Sequence, residues 1–187
     1  MGSPNDIKKG VVLNYKDGLY AVVDFQHVNP GKGSAFVRTR LKNLSTGKVV
    51  ENTFKSAETI DFEQVTYRKM QYLFTDGNQY TFMDNVSYEQ VEVPADQLGD
   101  DAKYLKEGIE ATVILHNDRA IAIELPKKIQ YTVASSPPAV KGDTASGNVT
   151  KEVVLDNGMT ARVPIFIKEG DKIIIKTETG EYSERVS

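Results

Sequence analysis

The 187-residue chain contains no cysteine. Without thiols there can be no disulfide framework, no thiolate metal site and no cysteine nucleophile. Histidine is almost as scarce: His27 and His116 stand far apart in sequence, and neither has a metal-ligand spacing. Both read as strand residues rather than as ligands or bases, and no metal or cofactor is expected. Long apolar runs are missing as well. The opening MGSPNDIKKG lacks the hydrophobic region of a signal peptide, and no stretch approaches membrane-spanning length. A cytoplasmic protein without a membrane partner is the expectation, and residues 1–4 carry no weight in it. Helical patterning is confined to residues 94–105 (PADQLGDDAKYL). There Pro94 opens the segment, Leu98, Ala102 and Leu105 share a face, and Lys106-Glu107-Gly108 ends it.

What the chain has in quantity is β signal. Runs rich in Val, Ile, Thr, Tyr and Phe recur at short spacing, and 40% of the residues are hydrophobic, enough for real cores. The runs are separated by Asp17-Gly18, Thr46-Gly47, Asp76-Gly77, Asn157-Gly158 and Thr179-Gly180, pairs that supply the positive φ of tight hairpins. In SAFVRTRLK (34–42), Ala35, Val37, Thr39 and Leu41 fall on one face, and Phe36, Arg38, Arg40 and Lys42 on the other. Long strands over 19–28 and 34–44 are joined by Asn29-Pro30-Gly31-Lys32-Gly33. That loop has a stiff base, two permissive glycines and a single lysine.

A weak repeat runs through the remainder. YLKEG (104–108) leads into IEATVIL, and FIKEG (166–170) leads into DKIIIK 62 residues later. Two related barrels of oligonucleotide-binding type would account for it. With boundaries near residues 62–65 and 125–128, the expected fold is all-β. It comprises three small barrels over 1–64, 65–128 and 129–187.

The net charge of −3 and pI near 5.5 speak against nucleic acid at face value. The distribution is uneven. Residues 1–64 carry nine Lys/Arg against seven Asp/Glu, residues 65–128 seven against eleven, and residues 129–187 seven against eight. Between Lys32 and Lys55 lie six cations (Lys32, Arg38, Arg40, Lys42, Lys48 and Lys55) and one acid, Glu51. Such a patch can engage phosphates on an acidic protein, or it can be an ordinary solvated strand face.

Enzymatic signatures fail on inspection. Gly31-Lys32-Gly33-Ser34 is not a phosphate-binding loop. Gln26 stands where the first glycine is needed, Gly33 stands where Ser or Thr must follow the lysine, and a strand follows instead of a helix. Gly47-Lys48 fails in the same way, with Val49 next. The acidic pair Asp100-Asp101 suits a helix start, and no nucleophile–base pair is evident. A non-enzymatic protein is expected.

Three separated motifs point further. VNPGKGSAFVR (28–38) resembles the tip loop of the elongation factor P family. KGDTA (141–145) resembles its third-domain loop, and RVPIFI (162–167) with GEYSERV (180–186) resembles its C-terminal signature. The likeness runs from Asn5 to Val186 with the motifs in family order, and the intact Pro-Gly-Lys-Gly tip fits the factor better than its close paralogue.

The resemblance implies an N-terminal SH3-like or KOW-type barrel followed by two barrels of oligonucleotide-binding type, in an L that mimics tRNA. It implies a monomer that binds the 70S ribosome between the P and E sites and relieves stalling at consecutive prolines. Pro30, Gly31, Lys32, Gly33, Ser34 and Arg38 would then meet P-site peptidyl-tRNA and rRNA near the peptidyl-transferase centre. Lys32 would be the target of a lysine-modifying enzyme. Gly142, Asp143, Thr144 and Ala145 would approach the small subunit and the E-site codon of mRNA, with Tyr182 and Arg185 nearby. Two positions depart from the family pattern: Asn29 replaces a frequent lysine, and Glu178 stands where arginine is frequent. The competing expectation is a general RNA-binding barrel. Salt-dependent binding to arbitrary RNA, with an affinity similar to that for ribosomes, would support it.

Overall fold

The computed structural model describes residues 1–138 and 149–186 and is built from three five-stranded antiparallel sheets. The first contains β1 (Val12–Tyr15), β2 (Gly18–Val28), β3 (Phe36–Asn43), β4 (Val49–Lys55) and β5 (Asp61–Glu63), in the order β4-β3-β2-β1-β5. The alternation anticipated on β3 holds. Val37, Thr39 and Leu41 are buried, while Arg38 and Arg40 are exposed. Thr39 is the polar member of that inner row, and its hydroxyl donates to the Asn52 carbonyl at 2.9 Å, so burial leaves no unmet hydrogen bond. Ile7, Leu13, Val22, Phe54 and Ile60 complete this core.

One turn departs from expectation. At the β1–β2 corner the positive φ falls on Lys16 (48°) and Asp17 (59°), and Gly18 begins the next strand opposite Tyr15. A two-residue loop needs both central residues left-handed to match strand twist, so the pair one position earlier makes the turn. The other four glycines (Gly47, Gly77, Gly158 and Gly180) do adopt positive φ.

The second sheet contains β6 (Thr66–Thr75), β7 (Gln79–Asp84), β8 (Gln90–Pro94), β9 (Glu110–His116) and β10 (Arg119–Glu124), ordered β10-β9-β6-β7-β8. The third contains β11 (Lys128–Ser135), β12 (Thr150–Leu155), β13 (Thr160–Pro164), β14 (Lys172–Lys176) and β15 (Tyr182–Arg185), ordered β13-β12-β11-β14-β15. The helix expected over 94–105 is not continuous. A single α-turn, Ala95–Leu98, gives way to a 3-10 segment, Gly99–Tyr104. Gly99 sits at φ 53°, ψ −130°, outside helical space, and this interrupts the hydrogen-bond ladder.

The weak sequence repeat has a structural counterpart. Gly108 (φ 85°) donates to the Tyr72 carbonyl while Tyr72 donates to the Ile109 carbonyl. Gly170 (φ 87°) donates to the Val133 carbonyl while Val133 donates to the Asp171 carbonyl. Both β6 and β11 carry a register shift immediately after that residue, between Tyr72 and Phe74 and between Val133 and Ser135. Matched bulges and turns of this kind bend both sheets at equivalent places, as barrel closure requires.

By packing, the chain divides into two compact units: residues 1–68 with 113–123, and residues 69–112 with 124–187. In the first, Val12 and Leu44 of the N-terminal sheet are buried with Ile114 and Ala122. His116 Nε2 lies 3.0 Å from the Glu63 carboxylate. In the second unit, Tyr104 and Ile109 join the core formed by Ile129, Tyr131, Val163, Ile173 and their neighbours. The Tyr131 hydroxyl donates to the Tyr104 carbonyl. The Asn157 amide donates to the carbonyls of Lys103 (2.8 Å) and Leu105 (3.3 Å), and Lys106 pairs with Asp156 at 3.2 Å.

Candidate functional site

The hairpin of β2 and β3 is the longest in the molecule, and pairing continues to Val28 opposite Phe36 before the chain turns. Residues 29–35 form the tip. The base of the loop is clamped from β4's end: Ser56 donates to the Ala35 carbonyl through its amide (3.1 Å) and its hydroxyl (2.6 Å). Gly33 adopts φ 110°, a conformation closed to side-chain-bearing residues, whereas Gly31 has neither a positive φ nor any atom near its absent Cβ. Pro30, Gly31, Lys32, Gly33 and Ser34 are all exposed. Among the described residues, no hydrogen bond or ion pair ties down the Lys32 ammonium. The loop therefore presents one hydrated cation at the end of a stiff two-stranded arm.

Below the tip, the outer face of the hairpin separates its two arginines. Arg38 is flanked in register by Gln26 and Thr53, both neutral, and its guanidinium lies 5.5 Å from the Phe36 ring centroid. Arg40 is flanked by Asp24 and Glu51. Arg38 thus has no acid directly in register on either side, whereas Arg40 has one on each; Asp24 and Glu51 share a cavity with both arginines. Ser34, Phe36, Arg38, Thr53 and Lys55 line a cavity of about 430 Å³ next to the tip. The six cations of residues 32–55 do not form one patch. Lys32, Arg38 and Lys55 gather at the tip end, while Lys48 stands at the opposite end of the β3–β4 hairpin. Phe36 and Lys55, read from sequence only as part of the outward face and of the basic stretch, are brought beside Arg38 by the register of β3 and β4.

In the third sheet, Tyr182 and Arg185 stand on β15. Tyr182 is half-buried against the core and, with Val149, Thr150, Arg162, Pro164 and Gly180, lines a cavity of about 460 Å³. Gly180 has φ 74°, which favours glycine, and a Cβ there would stand close to the Tyr104 hydroxyl, at 3.1 Å. Arg185 lies 5.8 Å from the Phe166 ring centroid and 3.8 Å from Asp171. Glu178 is exposed. Arg162 and Phe166 extend the set beyond the residues nominated from sequence. Gly142, Asp143, Thr144 and Ala145 lie outside the described residues. Both histidines are strand residues: His116 pairs with Glu63, and His27 stacks edge-on with Phe25 at 5.4 Å. Among the described residues, no three His, Asp or Glu side chains converge to hold a metal ion.

Three family models match in succession: the elongation factor P KOW-like domain over residues 3–60, its OB domain over 65–123, and its C-terminal domain over 129–185. The chain belongs to the elongation factor P family. Members of the elongation factor P family are translation factors rather than enzymes, and the all-β fold with KOW-like and oligonucleotide-binding-type domains follows from the same match. Among solved structures, the chain is similar to a eukaryotic translation initiation factor 5A from Methanococcus jannaschii. They share 21% identity over 66% of this chain and 90% of that one, with a TM-score of 0.48. A translation initiation factor eif-5a family protein from Naegleria fowleri is 16% identical over 66% of this chain and 96% of that one, with a TM-score of 0.47.

Proposed function

We propose that this translation elongation factor binds the 70S ribosome between the P and E sites and speeds peptide-bond formation where consecutive prolines slow it. Its three domains would span 1–64, 65–128 and 129–187. The observation that carries this reading is the hairpin tip, where Lys32 stands unpaired between two glycines on a clamped, extended arm. Proline is a constrained nucleophile, so transfer to it is limited by orientation. A loop that holds the tRNA end in place lowers that barrier without proton chemistry of its own. Arg38, with no acid in register beside it, is suited to a phosphate of P-site tRNA or rRNA. Lys32 is open to a modifying enzyme that would lengthen its reach. The 142–145 loop, with Asp143 and Thr144, would contact the small subunit and E-site codon, and Tyr182 and Arg185 would support that end.

The test is synthesis of a Pro-Pro-Pro peptide on ribosomes with and without the protein, beside a Phe-containing control. Stimulation confined to the proline peptide is expected. In Lys32→Ala the fold should be untouched, because the side chain is exposed, while stimulation should fall by about tenfold or more. Full stimulation by a correctly folded Lys32→Ala protein would remove this lysine from the mechanism. Equal acceleration of both peptides, or of neither, would overturn the proposed specificity.

A further inference from the structure

Among the asparagines of the chain, Asn157 alone is followed by glycine. An asparagine in that setting is chemically labile. With no side chain on the next residue, that residue's backbone nitrogen can close on the asparagine amide carbon. The pair forms the turn between β12 and β13, with Gly158 at φ 84° and open space around its absent Cβ. Yet every group that such a closure needs is engaged. The Gly158 amide donates to the Leu155 carbonyl at 2.9 Å. Asn157 Oδ1 accepts from the Met159 amide at 3.1 Å, and Asn157 Nδ2 donates to the carbonyls of Lys103 and Leu105 at 2.8 and 3.3 Å.

Those two carbonyls lie at the end of the 3-10 segment Gly99–Tyr104, where helical carbonyls run out of partners within the helix. The Asn157 amide therefore helps join the chain between β8 and β9 to the third sheet, beside the Tyr131–Tyr104 and Lys106–Asp156 contacts. A carboxylate at position 157 could not donate. It would set a negative charge against two carbonyl oxygens and next to Asp156, whose carboxylate already holds Lys106 and the Thr132 amide, each at 3.2 Å.

We propose that Asn157-Gly158 is a self-modification site, held in check by this joint while the chain is folded, and that its reaction weakens the joint permanently. When the turn opens, the Gly158 backbone nitrogen attacks Asn157 Cγ. The N–Cγ bond forms, the Cγ–Nδ2 bond breaks, and the side-chain nitrogen leaves as ammonia, with the Gly158 proton passed to it through solvent. Water then opens the succinimide to aspartate or to isoaspartate, which adds one carbon to the backbone of the turn. Water is the only co-reactant. Either product lacks the donor for the Lys103 and Leu105 carbonyls, so the reaction marks chains whose joint has opened.

The test incubates the full-length chain in warm, mildly alkaline buffer, folded or in urea, and follows the mass of the peptide containing Asn157. Conversion at Asn157 should be faster in urea than at any other asparagine, and at least about tenfold slower in the folded chain. Equal rates in the two states, or no conversion at Asn157 in urea, would overturn the proposal. Asn157→Asp supplies the aspartyl product directly. Its melting temperature at neutral pH should fall below that of Asn157→Ala, which loses the donor but adds no charge. The deficit should shrink as the pH falls toward about 4, where a protonated carboxyl can donate to the carbonyls, and grow as the pH rises and the proton is lost. Equal melting of the two variants at neutral pH, or a deficit that ignores pH, would overturn the claim that the product weakens the joint.

Discussion

Tyr131 lies at the centre of the C-terminal core, fully buried, with its hydroxyl committed to the Tyr104 carbonyl. Burial first, then the nearby charge of Asp156, pushes its phenol well above the usual value of 10.0. The folded state therefore favours the protonated form. Its contribution to stability is complete below about pH 10 and declines as the pH rises further, because only the unfolded chain can release the proton. Tyr131→Phe should cost about 1 kcal/mol at neutral pH, leaving the Tyr104 carbonyl without its donor. The same change should flatten the loss of stability between neutral and strongly alkaline pH. Urea unfolding followed by circular dichroism at the two extremes checks both signs. A residual alkaline slope is expected from Tyr72, whose phenol is also raised by burial.

The tip hairpin is an element whose performance rests on its two glycines unequally. Gly31 has open space around it and an ordinary φ, so Gly31→Ala should leave fold and proline-peptide stimulation close to those of the parent. Gly33 holds φ 110°, and Gly33→Ala forces the loop into another path at a cost of about 1 kcal/mol, absorbed locally because the tip is exposed. The melting temperature should barely move while stimulation falls, since Lys32 would be aimed elsewhere. Equal activity of the two variants would show that the loop's backbone path is immaterial. The inward Val37, Thr39 and Leu41 were readable in advance from period-two alternation, and the Pro-Gly-Lys-Gly tip from its stiff proline and permissive glycines. The separation of Arg38 from Arg40 was not, because it depends on which residues β2 and β4 place beside them.

Across the whole molecule, burial does not follow the spacing of the three sequence segments. Ile114 belongs to β9 of the middle sheet but is buried with Val12 and Leu44 of the first. Ile114→Ala should therefore destabilise residues 1–68 by about 3 kcal/mol, within the range for truncating a buried isoleucine. Hydrogen exchange should show the lost protection at Leu13, Val22 and Leu41, with the amides of β11 and β14 changed less. Loss confined to the second unit would contradict the division of the chain described above.

The sequence alone determined the all-β class, the hairpin with one lysine at its tip, the paired turns at Gly108 and Gly170, and the succession of family motifs. Each is encoded locally, by side-chain alternation or by residues fit for a particular φ. Tertiary structure decided what depends on partners distant in the chain. Gly99 broke the expected helix between β8 and β9, and register set Arg38 apart from acids that flank Arg40. Tyr104 was drawn into the C-terminal core over Gly180, whereas Phe166, at the equivalent place in the repeat, was left exposed. Hydrophobic residues of the same kind met different neighbours there, and burial is a property of the neighbours as much as of the residue.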